Sequence, residues 1–233
     1  MDLGESAKSS VNVSSRLRPK SKQAEKVGLL YWMTRLLLAT RNAHKAREIQ
    51  EILGPEFELR DLMAYPEIPE IVESGKSFEE NAKLKAIAVS KELPALVIAD
   101  DSGLEVEALG GAPGIYSARY AGKNATDEQN VEKLLSELAG AGAKTRQRTA
   151  RFRCVIALAR AGKLLDTFNG AVEGTIADSP RGSRGFGYDP IFVPNGFEQT
   201  FAELPAEVKN RISHRAKAIR ALAAKLAALK PSD

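Results

Sequence analysis

The sequence predicts a mixed α/β fold, and two observations support this prediction. In the first half of the chain, short apolar runs alternate with segments whose apolar residues recur at helical spacing. In the second half, residues 150–160 and 163–176 form two strand-like segments in succession, followed by a short strand at 191–193. Alternating strands and helices followed by paired strands indicate one continuous α/β domain with two lobes.

The elements of the first half are bounded by residues that begin or end them. Asn42 has the side chain of a helix N-cap, and Gly54-Pro55 stops that helix. A segment rich in Pro and Glu indicates a loop. The predicted elements are a strand at 36–39, a helix at 43–53, a loop to about Gly75, a helix at 77–91, a strand at 96–99 and a glycine-rich loop at 102–122.

Two helices are predicted in the second half. The segment Thr126–Gln129 has the form of a capping box and begins the first of them. The second covers about residues 213–230. Their apolar stripes are Val131, Leu134, Leu135 and Leu138 in the first helix, and Ile219, Leu222, Leu226 and Leu229 in the second.

Composition excludes several classes of function. The 233 residues have a formal charge of +4, but residues 1–33, with six basic and three acidic side chains, supply most of it. The rest of the chain is nearly neutral, which argues against nucleic acid as a partner. No apolar run is long enough to span a membrane, and one cysteine and two histidines argue against a disulfide framework or a zinc site. A single cysteine fits a reducing compartment, so we expect a cytoplasmic protein.

Residues 1–33 are rich in Ser, Lys and Arg and have no clear apolar period. We therefore expect a disordered extension, followed by one functional domain at 34–233. A targeting peptide is an alternative, weakened by three acidic residues and the lack of an apolar core. A start at Met33, directly before the first predicted strand, is another alternative.

Asp100 and Asp101 follow a buried strand and precede a glycine turn. Ligands of α/β sheets gather beyond the carboxyl ends of strands, and adjacent carboxylates favour a nearby cation. Mg²⁺ takes one or two protein carboxylates together with water and phosphate oxygens, and a carboxylate there can accept a proton from water. The alternative is an ordinary turn at a strand end.

Two further segments suit a phosphate-binding site. Thr40–Lys45 joins a strand to a helix N-terminus, where free N–H groups and a lysine attract phosphate. The alternative is that Asn42 only caps the helix. Ser77 and Glu80 begin the next helix at capping-box spacing, so Glu80 is either a cap or a metal ligand, and Lys85 follows one turn later.

Two more segments suit recognition of a base. Gly185–Pro190 combines glycines with two aromatic residues, which permits close approach to a flat ligand; the alternative is a turn with core aromatics. Ser213–Arg215 begins the last helix with hydrogen-bond donors, and Lys209 precedes it; the alternative is a solvated basic helix start.

Together these segments resemble the RdgB/inosine triphosphatase family over about residues 35–230. The matching stretches are LLLATRNAHK, SFEENAKLKA, IADDSGLEVEALGGAPGIYSARYAG, GFGYDPIF and SHR. The resemblance implies a mixed α/β fold with an elongated central sheet, flanking helices and two lobes around a substrate cleft, and it implies a homodimer. It also implies Mg²⁺-dependent hydrolysis of ITP, dITP and XTP to the monophosphate and pyrophosphate, which removes deaminated purines from the nucleotide pool.

The resemblance implies roles for individual residues. Asp101 is the proton acceptor, and Glu80 and Asp101 serve the metal. Apart from the resemblance, we expect Asp100 to be an electrostatic neighbour of Asp101. The triphosphate is held by Thr40, Arg41, Asn42, Ala43, His44 and Lys45, with Lys85 beside the leaving phosphates. Ser102 contacts substrate, and the base and sugar are enclosed by Phe186, Gly187, Tyr188, Asp189, Lys209, His214 and Arg215.

The sequence departs from the family pattern at Arg41 and Arg184, where glycine is frequent. Three other functions are alternatives: a Maf-type pyrophosphatase of pyrimidine nucleotides, a non-catalytic nucleotide-binding module and a nucleic-acid-binding protein. The run Gly185–Asp189 and the segment Ser213–Arg215 argue against the first. The acidic residues Glu80 and Asp101 argue against the second, and the near-neutral charge of the domain argues against the third.

Overall fold

The computed structural model describes residues 34–144 and 147–228, which contain six strands in one sheet and five α-helices. The predictions for residues 1–33 and for the chain beyond Ala228, including Leu229, lie outside the described residues. The strands are β1 (Thr34–Leu38), β2 (Phe57–Asp61), β3 (Leu96–Val106), β4 (Thr149–Arg160), β5 (Lys163–Ile176) and β6 (Phe192–Pro194). The helices are α1 (Ala43–Leu53), α2 (Phe78–Glu92), α3 (Asp127–Gly140), α4 (Ala206–Ile212) and α5 (His214–Ala228).

The sheet has the strand order β2-β1-β3-β4-β5-β6. β1 pairs in parallel with β2 and β3, whereas the pairs β3–β4, β4–β5 and β5–β6 are antiparallel. Parallel strands need crossover connections, which α1 and α2 provide between the first three strands. β3, β4 and β5 contain 11, 12 and 14 residues, which makes the middle of the sheet long. The predicted mixed α/β fold with an elongated, helix-flanked sheet is confirmed.

Buried side chains form separate clusters on the two faces and at the two ends of the sheet. On β1, Leu36 and Leu38 belong to a cluster with α1 and α5, while Leu37 belongs to a cluster with α2. This division follows from the alternation of side chains along a strand. A third cluster, which includes Leu104 and Phe152, packs α3 against the far ends of β3, β4 and β5. The middle of β3 therefore lies between the hydrophobic clusters of both halves of the sheet.

Local helix signals in the sequence are confirmed. The Asn42 side chain accepts a hydrogen bond from the Lys45 N–H at 3.0 Å, and Gly54 follows the last residue of α1. Thr126 and Gln129 make both hydrogen bonds of a capping box at the start of α3. These signals depend on neighbours in sequence, which is why the sequence alone suffices to find them.

Three features differ from the predictions. β2 lies where a loop was predicted. The strand was not predicted because it is an edge strand in which only Phe57 is fully buried, so it has no clear apolar pattern. α4 was not predicted, since its seven residues are too few to show a helical period. The strand predicted to end at Ala99 continues to Val106, so Asp100 and Asp101 lie within β3 and pair with β4 instead of forming a turn.

Gly170 lets α5 lie directly against β5. A Cβ atom at this position would lie 2.0 Å from the carbonyl oxygen of His214 and 2.8 Å from the backbone nitrogen of Ala218. Both neighbours are backbone atoms, so neither can move aside by changing a side-chain rotamer. Any side chain at position 170 would thus push α5, and with it the start of the helix, away from the sheet.

We expect Gly170→Ala to lower the free energy of unfolding by about 1–3 kcal/mol, the usual cost of overpacking a core. The matched control is Gly140→Ala at the end of α3, where the new Cβ would have no described neighbour within 4 Å. In a helix that change stabilises by about 0.5–1 kcal/mol. Urea denaturation of both variants measures the difference, and equal stability of the two would contradict the close packing of α5.

Candidate active site

The candidate site is built on the middle of β3, where Asp100 and Asp101 project to opposite sides of the strand. Asp100 is paired with Lys45 of α1 and Arg215 of α5, on one face of the sheet. Asp101 is paired with Lys85 of α2, on the other face. The two neighbouring carboxylates therefore have different partners, and their chemistry differs accordingly.

Asp100 is fully buried and surrounded by donors. Its carboxylate accepts hydrogen bonds from Lys45, from Arg215 Nε at 3.2 Å, from Ser102 Oγ at 3.0 Å and from Cys154 Sγ at 3.1 Å. Burial raises the pKa of Asp100, but the charges of Arg215 and Lys45 outweigh burial and hold that pKa well below its usual value. Asp100 is thus a permanent anion that orients cations, which agrees with its predicted electrostatic role.

Asp101 has a different environment. Lys85 Nζ lies 3.4 Å from Asp101 Oδ1, whereas the buried Asp101 Oδ2 has no hydrogen-bond partner among the described residues. Burial raises the pKa of Asp101 above its usual value, although Lys85 and Lys45 act in the opposite direction. An unpaired carboxylate oxygen with a raised pKa is suited to accept a proton or to bind a cation.

Glu73 is a site residue that the sequence analysis missed. Lys85 Nζ donates to Glu73 Oε1 at 2.7 Å and to the backbone oxygen of Asp100 at 2.8 Å, and Arg119 lies 3.3 Å from Glu73 Oε2. Glu73 therefore shares a lysine with Asp101. It lies in the loop rich in Pro and Glu, where no local pattern distinguishes one acidic residue from another.

Glu80, the metal ligand suggested by the family resemblance, is placed differently. Its side chain is exposed, and Glu80 Oε2 accepts a hydrogen bond from the Lys76 N–H at 2.7 Å. The Glu80 N–H in turn donates to Ser77 Oγ at 3.1 Å. Only the Ser77 half of a capping box is therefore formed, because the Glu80 carboxylate accepts from the N–H before the cap residue and not from that of Ser77 itself.

The predicted phosphate loop, Thr40–Lys45, is a helix start with its cap in place. Thr40 Oγ1 accepts from the Asn42 N–H at 3.2 Å, and Arg41 Nη2 donates to the backbone oxygen of Ile68 at 2.5 Å. Ala43 and His44 are the first residues of α1. Arg41 therefore ties this loop to the loop that carries Glu73.

Arg215 is a fully buried cation of the site. Its Nη1 donates to Glu48 Oε2 at 2.6 Å and its Nη2 to Ser102 Oγ at 2.8 Å, in addition to the bond with Asp100. Glu48 also lies 3.5 Å from Lys209 Nζ. The charges of Arg215 and Lys209 outweigh the effect of burial and hold the pKa of Glu48 below its usual value. Glu48 was missed because a charged residue in an amphipathic helix ordinarily faces solvent.

The glycine loop before β6 is organised by Asp189. Asp189 Oδ2 accepts from the Phe186 N–H at 2.9 Å and from Lys209 Nζ at 2.5 Å. The Gly187 N–H donates to Asp127 at the start of α3. The loop thereby presents Phe186 at the cleft. Unlike Phe186, Tyr188 is buried in the hydrophobic cluster around α3.

His214 is buried at the start of α5 and stacks on Phe152, with ring centroids 4.8 Å apart. Burial, together with the nearby charges of Arg215 and Lys209, lowers the pKa of His214 well below its usual value. The imidazole is therefore neutral near pH 7. Its buried Nδ1 has no hydrogen-bond partner among the described residues.

Most of the predicted substrate residues line a single cleft. Those that line it are Asn42, Lys45, Ser102, Phe186, Gly187, Tyr188, Asp189, Lys209, His214 and Arg215. Gly103, Ser117, Ala118, Asp127 and Phe152 also line it and were not predicted. The other predicted site residues, Thr40, Arg41, Ala43, His44, Glu80, Lys85 and Asp101, are not among its lining residues.

The fold and the cleft define a class of protein, a mixed α/β enzyme of the hydrolase type with carboxylates and lysines beside an aromatic, donor-rich cleft. The chain matches the Ham1 family over residues 36–225 and belongs to that family. The resemblance found in the sequence is therefore confirmed.

Among the described residues, no helix has the length and apolar character needed to cross a membrane.

Relatives of known name support this assignment. The dITP/XTP pyrophosphatase of Shouchella clausii is 52% identical over 190 residues, which cover 82% of this chain and 95% of that protein. The dITP/XTP pyrophosphatase of Bacillus subtilis is 50% identical over 191 residues, 82% of this chain and 96% of that protein. The solved structure of the Staphylococcus aureus Ham1 protein is similar with a TM-score of 0.74 at 44% identity, covering 84% of this chain and all of that one.

The neutral state of His214 predicts a pH dependence of stability. Below its ordinary pKa of about 6.5, His214 gains a proton in the unfolded chain but not in the folded one. Lowering the pH from 7.5 to 5.0 should therefore remove up to about 2 kcal/mol from the free energy of unfolding through this residue. His214→Gln cannot be protonated, so its stability should fall less over this range. Parallel stability curves for the two proteins would contradict a neutral, buried His214.

Proposed function

We propose that the protein hydrolyses non-standard purine nucleoside triphosphates, namely dITP, XTP and ITP, to the nucleoside monophosphate and pyrophosphate. The observation that carries the proposal is the buried Asp101 Oδ2, which lacks a hydrogen-bond partner while Lys85 holds the other oxygen. Such an oxygen suits both a metal ion and an attacking water. The names of relatives at 50–52% identity support the substrate class.

Mg²⁺ fits the carboxylates of this site. The described residues contain no group of three or more His, Cys, Asp or Glu side chains that suits a metal. Mg²⁺ needs fewer than three protein side chains, since it binds one or two carboxylates and takes its other ligands from water and phosphate. We infer that Asp101 and Glu73 would hold the ion, in place of the pair with Glu80 that the resemblance suggested. The bound ion would supply positive charge to the phosphate oxygens.

The remaining chemistry belongs to side chains of the protein. Asp101 accepts the proton of the water that attacks the α-phosphorus. Lys85 orients Asp101. Lys45, at the positive end of α1, compensates the charge of the departing pyrophosphate. Asp100 stays ionised and keeps Lys45 and Arg215 in place.

The base end of the cleft favours a 6-keto purine. Such a base presents an acceptor where adenine presents an amino donor. Arg215, the first N–H groups of α5 and the neutral His214 offer donors there. Adenine would leave these buried donors facing another donor, which disfavours its binding. Phe186 adds a flat apolar surface on which a purine can stack.

We propose that the enzyme removes deaminated purine nucleotides before they enter DNA or RNA. We also propose that residues 34–233 form the catalytic domain, supported by the family match over 36–225. The family resemblance supports a homodimer. The single cysteine supports a cytoplasmic location.

Pyrophosphate release from dITP, XTP, ITP, GTP, ATP and dTTP, with and without Mg²⁺, tests the proposal. We expect release from the first three nucleotides and not from ATP, because their 6-keto group matches the donors at the base end. We expect it only with Mg²⁺, because the ion supplies positive charge to the phosphate oxygens. Preference for dTTP would instead favour a Maf-type enzyme. Tight binding of nucleotides without release from any of them would favour a binding module.

Asp101→Asn should lower kcat by about 10²–10⁴-fold, the usual contribution of a general base. The fold should survive because the amide has the same shape as the carboxylate. The matched control is Asp166→Asn on β5, a half-exposed residue whose pair with Lys225 is of the weak surface type. The control should keep full activity, and circular dichroism confirms folding of both variants. Near-normal activity of Asp101→Asn would refute the role of Asp101.

A further inference from the structure

His44 connects the phosphate loop to the base end of the cleft. It lies in the first turn of α1, one residue before Lys45, and its ring stacks on Phe186. The ring centroids are 5.4 Å apart and the ring planes differ by 21°. This geometry lies within the range of favourable stacked aromatic pairs.

The two rings lie at the boundary between two cavities. Phe186 and Lys209 line the cleft, and they also line a second cavity beside it. His44 lines the second cavity and is not among the residues that line the cleft. His44 therefore contacts the Phe186 ring from the second cavity, and the same ring also borders the cleft.

The side chain of Phe186 receives no packing support from its chain neighbours, because both are glycines. It is flanked by Gly185 and Gly187, both with positive φ, at +76° and +62°. A chain with glycine on both sides has more conformational freedom than an ordinary loop. The cations of Lys209 and Arg215 lie 5.1 Å and 5.6 Å from the Phe186 ring centroid and attract the ring, but His44 is its stacked partner among the described residues.

We propose that His44 is a positioning residue for base recognition, whose imidazole supports the Phe186 ring so that a purine meets a surface already in place. The substrate class rests on the proposed function. The role differs from the phosphate contact that the family resemblance implied for His44. Because His44 is adjacent to Lys45 in α1, the same contact links the phosphate end of the site to the base end.

Kinetics of dITP hydrolysis by the wild type, His44→Ala and His44→Phe test the proposal. An aromatic pair contributes about 0.5–1.5 kcal/mol, so His44→Ala should raise KM about 2- to 10-fold and change kcat less than about twofold. His44→Phe retains the stack without a polar ring and should restore KM. Inhibition by inorganic tripolyphosphate, which has no base, should be unchanged in His44→Ala.

Arg47→Ala is the matched control. Arg47 is exposed, lies on α1 three residues after His44 and lines the same second cavity. Its removal should leave KM unchanged. A lower KM in His44→Ala would show that His44 blocks the Phe186 ring, and would overturn the proposal. Weaker tripolyphosphate inhibition without rescue by His44→Phe would make His44 a phosphate ligand, and would overturn it as well.

Calorimetric titration with inosine monophosphate, without metal, separates this proposal from the proposed function. If no nucleotide is hydrolysed but the wild type and His44→Phe bind the monophosphate more tightly than His44→Ala, the proposed hydrolysis fails and the role of His44 stands. If all three proteins bind it equally, the role of His44 fails whatever the activity. If the wild type does not bind it, base recognition by this cleft is refuted.

Discussion

The buried guanidinium of Arg215 is the interaction on which the geometry of the site depends. Its three nitrogens donate to Asp100 of β3, Glu48 of α1 and Ser102 of β3, while the residue itself belongs to α5. A cation buried this deeply is tolerated only because two anions compensate its charge and each nitrogen has an acceptor. Removing one member of such a group leaves an unpaired buried charge, at a cost of about 3–5 kcal/mol. Arg215 therefore fixes α1 and α5 relative to the central strand.

From Arg215 a chain of alternating charges extends to both ends of the cleft. Toward the phosphate end, Asp100 pairs with Lys45. Toward the base end, Glu48 pairs with Lys209, which pairs with Asp189 of the glycine loop. Each charge is oriented by the next, so the side chains are in place before a ligand arrives. This preorganisation is what electrostatic stabilisation of a charged transition state requires.

The sequence was sufficient for features that depend on near neighbours. Asn42 and Thr126 begin their helices through bonds to residues three positions away, and both were predictable. The long strands β4 and β5 were predicted as two successive strand-like segments, residues 150–160 and 163–176. The family resemblance added residues of the cleft that come from distant segments, such as Lys45, Phe186 and His214, which no local pattern relates to each other.

Features that depend on tertiary contacts were not predictable in the same way. Glu48 and Glu73 are acidic residues in ordinary contexts, a helix and a loop, and only the fold brings them to Arg215 and Lys85. The continuation of β3 through Asp100 was hidden because charged residues rarely lie in a central strand. Here the strand tolerates them because buried cations on both faces of the sheet compensate their charge.

The passage of β3 through the acidic pair also explains why adjacent carboxylates differ in chemistry. In a turn, two neighbouring aspartates would share one environment and repel each other. In a strand, alternation sends Asp100 to the face of α1 and α5, where cations keep its pKa low, and Asp101 to the face of α2, where burial raises its pKa. The sheet thereby separates a structural anion from a potential base across a single peptide bond. An insertion or deletion of one residue before Asp100 would exchange the two faces and place the potential base among the structural cations.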